Sequence, residues 1–322
     1  MNPLPLTPEL LTSVGPERPL RIAVGWDQSG EEAVHFAGWL ARTMPAQIRV
    51  VSTEKQPWSH LRNKTSKKYK KWRKEIEEKR SGAIREALKE HVPRGAWDED
   101  YAVFRDGSPR YELLTQEVER FHADLVLVGS KPKAAKGRFK ATSTADALMH
   151  SSPVSVGLAP RAVKLSKKGI TRVNFAFLDE NDEAANTGIA SAAAIAMILD
   201  VDLRIMAFSP EETYDYNEQI APHRAFIDEW NETSLALLDR ARDVVSDMAE
   251  KLGVQGLKNF EVETRVSAGD GWDTVVDSQK WKKGDVLFLA SRPATTNCVF
   301  AGPRATDFLE HAPVPVVIFP QR

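Results

Sequence analysis

The chain repeats itself, and that repeat limits its possible folds more than any local pattern does. RIAVGWDQSGEEAVHFAGWLA, from Arg21, returns as RVNFAFLDENDEAANTGIASAAA, from Arg172; each is an apolar run ending in an acidic residue, Asp27 or Asp179, ahead of a helical pattern. DLVLVGSKP, from Asp124, returns as DVLFLASRP, from Asp285, and HSSPVSVGLAP, from His150, returns as HAPVPVVIFP, from His311. Self-similarity at a long period, with its landmarks in one order, outranks single-segment propensities. A length of 322 residues is also comfortable for two domains, each with its own core. The expected division is a flexible leader over 1–19, a first domain over 20–163 and a second over 164–322, joined through the short basic segment APRAVKLSKKGIT.

Within each half, strand and helix signals alternate, the pattern of a parallel sheet covered on both faces. First-half strands are expected at Leu20–Gly25, Gln47–Thr53, Trp97–Arg105, Asp124–Gly129 and Val154–Leu158, as Val/Ile/Leu runs suited to burial on both sides. A helix over Ser66–His91 follows from apolar residues at Tyr69, Trp72, Ile76, Ala83, Ala87 and Leu88, near a period of 3.6. Its counterpart runs over Phe226–Leu252. The fold class is therefore α/β: two tandem Rossmann-like domains, each an open five-stranded parallel sheet with helices on both faces.

Several function classes lose support on composition. The chain is 42% apolar and 28% charged with a net charge of -1, so no global field attracts nucleic acid or an anionic membrane. Its longest apolar stretch, Ile189 to Leu199, is about half of the ~20 residues that span a bilayer. A single cysteine, Cys298, can form no internal disulfide, which fits a cytoplasmic protein. The leader has no basic start, and Pro3, Pro5, Pro8, Pro16 and Pro19 oppose a helical targeting segment. The seven histidines stand singly with no metal-ligand spacing, and neither a nucleophile elbow nor a Walker loop is present. The basic run from Arg62 to Lys74 places Tyr69 and Trp72 at core spacing and closes on Glu75, Glu77 and Glu78, so it reads as a solvated helix face.

In an open α/β sheet, ligands sit beyond the carboxyl ends of the strands where strand order reverses. That singles out Asp27 and the loop GSKPKAAKGRFKATST from Gly129, which leads into a helix starting near Ser143, whose unpaired amides suit an anion. On these landmarks the chain resembles the universal stress protein family over nearly all of both halves, which implies an adenine nucleotide alpha hydrolase-like variant of the Rossmann fold. The resemblance implies an Asp at the end of strand one, here Asp27, and a loop G-x2-G-x9-G-[ST] whose first Gly is Gly129 and whose last Ser is Ser143. Pro132 and Thr142 replace the other two glycines; one amide is lost, and a Cβ enters where a left-handed residue would cost roughly 1–2 kcal/mol. Lys131, Lys133, Lys136, Arg138 and Lys140 crowd the same loop. In the second half Ala290, Pro293 and Pro303 depart from the pattern and only Gly302 survives, so Asp179 is expected as a strand-end cap or turn residue.

The resemblance thus implies a non-catalytic stress-response module that binds an adenine nucleotide, ATP or AMP, in its first half. Asp27 would contact adenosine, Thr53 would line the base pocket, and Gly129, Lys131, Thr142, Ser143 and Thr144 would surround the phosphates. The alternative is an interaction or scaffold protein with nucleotide binding lost from both halves. Because PVSVGLAP and PVPVVIFP would leave apolar edges, the halves are expected to pack as a pseudo-dimer, with a homodimer as a further option.

Overall fold

The computed structural model describes residues 6–26, 30–56, 66–178, 185–211, 221–253, 260–290 and 302–319. Helix α1 (Pro8–Ser13) comes first. The first half then runs β1 (Leu20–Trp26), α2 (Glu32–Ala41), β2 (Ala46–Glu54), α3 (Lys67–His91), β3 (Trp97–Asp106), α4 (Arg110–Phe121), β4 (Leu125–Gly129), α5 (Ser143–Ser151) and β5 (Ser155–Ala159). The second half runs β6 (Arg172–Phe177), α6 (Ala185–Leu199), β7 (Asp202–Glu211), α7 (Ala221–Lys251), β8 (Val262–Asp270), α8 (Gly271–Asp277), β9 (Asp285–Ala290), α9 (Gly302–Leu309) and β10 (Val316–Phe319).

All ten strands form one sheet in the order β3-β2-β1-β4-β5-β10-β9-β6-β7-β8. Every neighbouring pair is parallel except β5 and β10, which run antiparallel with Val316 opposite Leu158, Val317 opposite Gly157 and Ile318 opposite Val156. The two halves thus join through their last strands, as the apolar edges predict. In each half the order reverses beside the first strand, between β1 and β4 or β6 and β9. Alternation along each strand sends Ile22, Val24, Leu125 and Leu127 to one core cluster and Ala23, Val126 and Val128 to the other. Both clusters continue across the join, through Phe175 and Ile195 in one and Met206 and Phe308 in the other.

The leader departs from expectation. Its prolines do not prevent a helix, because Pro8 takes the first helical position, where a missing N–H costs nothing. Thr7 caps that helix by accepting the Leu10 amide at 3.3 Å. Leu6, Leu10 and Leu11 are buried, α1 packs on α6 of the second half, and the Leu6 amide reaches Ser155 Oγ on β5 at 3.3 Å. Segment 6–19 is therefore a strap across both halves rather than a flexible leader.

Helix α3 begins as predicted, with Ser66 accepting the Tyr69 amide at 3.2 Å. Its basic face is laced by Lys71–Glu75 and Lys74–Glu78, each at 3.8 Å. The repeat also reaches the amino ends of the strands. Asp124 accepts the Arg21 amide at 2.9 Å, and Asp285 accepts Arg172 Nε at 2.9 Å. Arg49 lies 4.3 Å over Phe121, and Arg204 lies 4.9 Å over Trp281. Burial lowers the Arg204 pKa to about 10, so the group stays charged at neutral pH.

Candidate functional site

At the reversal in the first half, β1 and β4 lie side by side with Val24 opposite Leu127. Asp27, just beyond β1, lies outside the described residues, as does Asp179 beyond β6. Gly129 ends β4 opposite Ala159, and a Cβ built on it would meet nothing within 4 Å. Thr53 is half-buried near the end of β2, opposite Arg105.

Thr142 caps its own helix. Its Oγ1 accepts the Ala145 amide at 3.1 Å and its carbonyl accepts the Asp146 amide at 2.8 Å. With φ at -73° and ψ at 166°, it sits in ordinary extended backbone. The strain expected from replacing a glycine here is absent, because no left-handed residue is required. Beyond it the Ser143 and Thr144 amides, the first of the nine-residue α5, have no acceptor among the described residues. Ser143 is exposed and Thr144 half-buried.

The loop between β4 and α5 is closed on itself. The Lys131 amide donates to the Lys140 carbonyl at 2.9 Å, the Lys140 amide to Ser130 Oγ at 2.8 Å, and the Ala134 amide to the Lys131 carbonyl at 3.0 Å. Phe139 is buried beneath it. Two of its five cations turn toward the second half. Arg138 Nη2 forks onto Asp277 of α8 at 2.8 and 3.0 Å, while its Nη1 donates to the His311 carbonyl. Lys140 faces Glu310 at 3.9 Å, and the Lys131 side chain is exposed. The paired edge of β5 and β10 brings second-half carboxylates and a carbonyl within reach of the loop, and two of its cations turn to them.

Sequence reasoning missed a polar cluster at the ends of β2 and β3. The side chain of Asp106 is buried, accepts Tyr69 Oη at 3.0 and 2.8 Å and Gln56 Nε2 at 2.5 Å, and lies 3.9 Å from Arg73. Burial, and then the Asp106 carboxylate, raise the Tyr69 pKa, so its hydroxyl stays protonated and donates. Glu54 pairs with Arg80 and, at 3.6 Å, with Arg110. The available signal was that β2 and β3 both end on an acid. Sequence spacing also hid the approach of His35 and His91, whose rings stack at 4.9 Å. Glu31, Glu90 and His91 bring one ligand atom each within 4.8 Å of one another, with His91 Nε2 2.9 Å from Glu31. One nitrogen with two exposed carboxylates is not the closed donor set of a structural zinc centre.

Among the described residues no helix is long and apolar enough to cross a membrane. Residues 20–160 match the model of the universal stress protein family. A universal stress protein of Mycobacterium tuberculosis is 24% identical over 310 residues, covering 94% of this chain and 100% of that one. Among solved structures, a universal stress protein from Archaeoglobus fulgidus aligns with a TM-score of 0.57 at 15% identity, over 94% of this chain and 96% of that one. One from Pseudomonas aeruginosa aligns with a TM-score of 0.53 at 12% identity, over 97% and 95%. These two likenesses bear on the fold, and they extend over both halves as the internal repeat does. The family match over residues 20–160, the relative aligned along nearly the whole chain and the repeated strand order agree that the first half is a domain of the universal stress protein family, followed in tandem by a second half of the same strand order.

Proposed function

We propose that the chain is a non-catalytic regulatory module of the cytoplasm whose first half binds the phosphates of an adenine nucleotide at the amino end of α5. The observation that carries this reading is the pair of acceptor-free amides at Ser143 and Thr144, beside the open end of β4 at Gly129. Helix amides and the positive end of the helix dipole favour an anion there. Family membership supplies the adenine, and Asp27 is the residue that the family pattern would set against it. The side chains described at this site form hydrogen-bonded caps and ion pairs, which position groups without furnishing a nucleophile and base in contact.

Closure of the loop favours a second reading, in which the family fold serves as an interaction module without nucleotide. The Lys131 amide already has a partner, and Arg138 is committed to the second half. Calorimetric titration with ATP, ADP and AMP separates the two. The nucleotide reading expects saturable heat that Ser143→Asp abolishes, because a carboxylate at the first helical position suits the helix yet repels phosphate. Absence of heat from the wild-type chain at millimolar nucleotide rejects that reading in favour of the interaction module.

A further inference from the structure

A second cationic feature lies away from α5, where the linker crosses the join between the halves. A cleft of about 550 Å³ is lined there by Lys136 of the β4–α5 loop, Lys164 of the linker, and Lys282 and Lys283 ahead of β9, with Trp281 and Asp285 also in its wall. The four lysines come from three separate stretches of chain, and only the tandem arrangement brings them together. None of the four ammonium groups has an ion-pair or hydrogen-bond partner among the described residues. Lysines with a carboxylate partner occur on α3, as in Lys89–Glu86 at 2.7 Å and Lys71–Glu75 at 3.8 Å.

Asp285 does not balance these charges. Arg172 holds both its oxygens, at 2.9 and 2.7 Å, and the Lys282 amide adds a third bond at 2.9 Å. Behind it Arg204 is fully buried; its Nε donates to Asn174 Oδ1 at 2.7 Å, while its Nη2, 3.8 Å from Asp285, has no hydrogen-bond partner among the described residues. Two guanidinium groups thus share one carboxylate beneath the cleft, leaving that layer positive as well. The backbone is fixed in advance: the Ser166 amide donates to the Lys283 carbonyl at 2.8 Å, the Thr171 amide to the Gly284 carbonyl at 2.8 Å, and the Gly137 amide to the Arg161 carbonyl at 2.7 Å.

We propose that this cleft between the halves is a binding site for a small, multiply phosphorylated anion, held by Lys136, Lys164, Lys282 and Lys283. Like charges gathered around one cleft repel one another, and a ligand carrying several negative charges would relieve that repulsion while gaining an ion pair at each. The volume falls in the range of small-ligand sites, about 300–1,000 Å³. A net charge of -1 over the whole chain argues against an extended polyanion, which would leave the cleft and meet mixed surface. The site is independent of the α5 amides, so it stands or falls apart from nucleotide binding there.

Titration of the full chain with inorganic tripolyphosphate tests the site, since this probe has phosphates and no adenine. Binding that weakens as salt rises is expected, with a Lys282→Ala/Lys283→Ala variant at least about tenfold weaker and Ser143→Asp close to wild type. Thermal unfolding of each variant, unchanged from wild type, confirms that the loss is local. The proposal is overturned if millimolar tripolyphosphate does not bind, if the double lysine variant binds like wild type, or if Ser143→Asp removes the binding. Tighter capture of a short DNA duplex than of tripolyphosphate at the same salt also overturns it, in favour of a polyanion surface.

Discussion

Gly38 lies on α2 where that helix passes the end of α3, and a Cβ built on it falls 2.1 Å from the carbonyl oxygen of His91. That neighbour is backbone and cannot swing aside, so Gly38→Ala is expected to cost about 1–3 kcal/mol through overpacking. Gly82, exposed in the middle of α3, has nothing within 4 Å of the same added atom. There Gly82→Ala is expected to stabilise by about 0.5–1 kcal/mol, because alanine loses less backbone entropy in a helix. Urea unfolding midpoints for the two variants should move in opposite directions; a shift of the same sign would refute the contact at Gly38. Beside it, burial and then the positive charges of His91 and Arg42 hold the His35 pKa below 6.5, although Glu32 and Glu90 oppose them. The unfolded chain takes up that proton near 6.5 and the folded chain only at lower pH. Its contribution is therefore present above the unfolded pKa and lost as pH falls through the folded value. The stability difference between wild type and His35→Asn should shrink as pH falls through 6.5 and below, and a constant difference would exclude the linkage.

Helix α1 shows how an element can be misread from correct residues. Prolines count against a helix only in its interior, and Pro8 stands at the start, after Thr7 as cap. With the cap recognised, Leu10 and Leu11 become the buried face of a short helix instead of stray apolar residues in a leader. Leu10→Ala is expected to cost about 2–5 kcal/mol, the range for a buried leucine truncated to alanine. A loss in urea unfolding below about 0.5 kcal/mol would mean that α1 is not docked on α6. The strands and α3 were readable because their signals are local: apolar runs for β1 and β4, a helical period with Ser66 ahead of it for α3. The β4–α5 loop was readable only in part. Thr142 occupies the expected place, yet its role as a cap depends on φ and ψ that a family pattern does not encode. The turn of Arg138 to Asp277 could not be read at all, since it joins residues brought together only by the pairing of β5 with β10.

The ten-stranded sheet has two outer edges and one internal join, and their sequences differ as their exposure requires. The outer strand β3 carries Asp98, Glu99 and Asp100, and the other outer strand, β8, carries Glu263 and Arg265, charges that discourage another strand from adding. The joining strands, Ser155–Ala159 and Val316–Phe319, carry no charge, and Val156, Leu158, Val316 and Ile318 are fully buried. A strand with this composition is stable only when covered, so β10 does for β5 what a second copy does in a symmetric pair. Residues 20–163 alone should therefore associate through β5, in the antiparallel sense that Val316 opposite Leu158 already displays. Sedimentation velocity of that fragment at micromolar concentration is expected to show a dimer that dissociates on dilution, with the full-length chain retaining its own sedimentation coefficient across the same series. A fragment that stays monomeric would mean that β5 tolerates exposure. The apolar sequence of the join would then reflect the cores that the two halves share on each face of the sheet rather than protection of an edge.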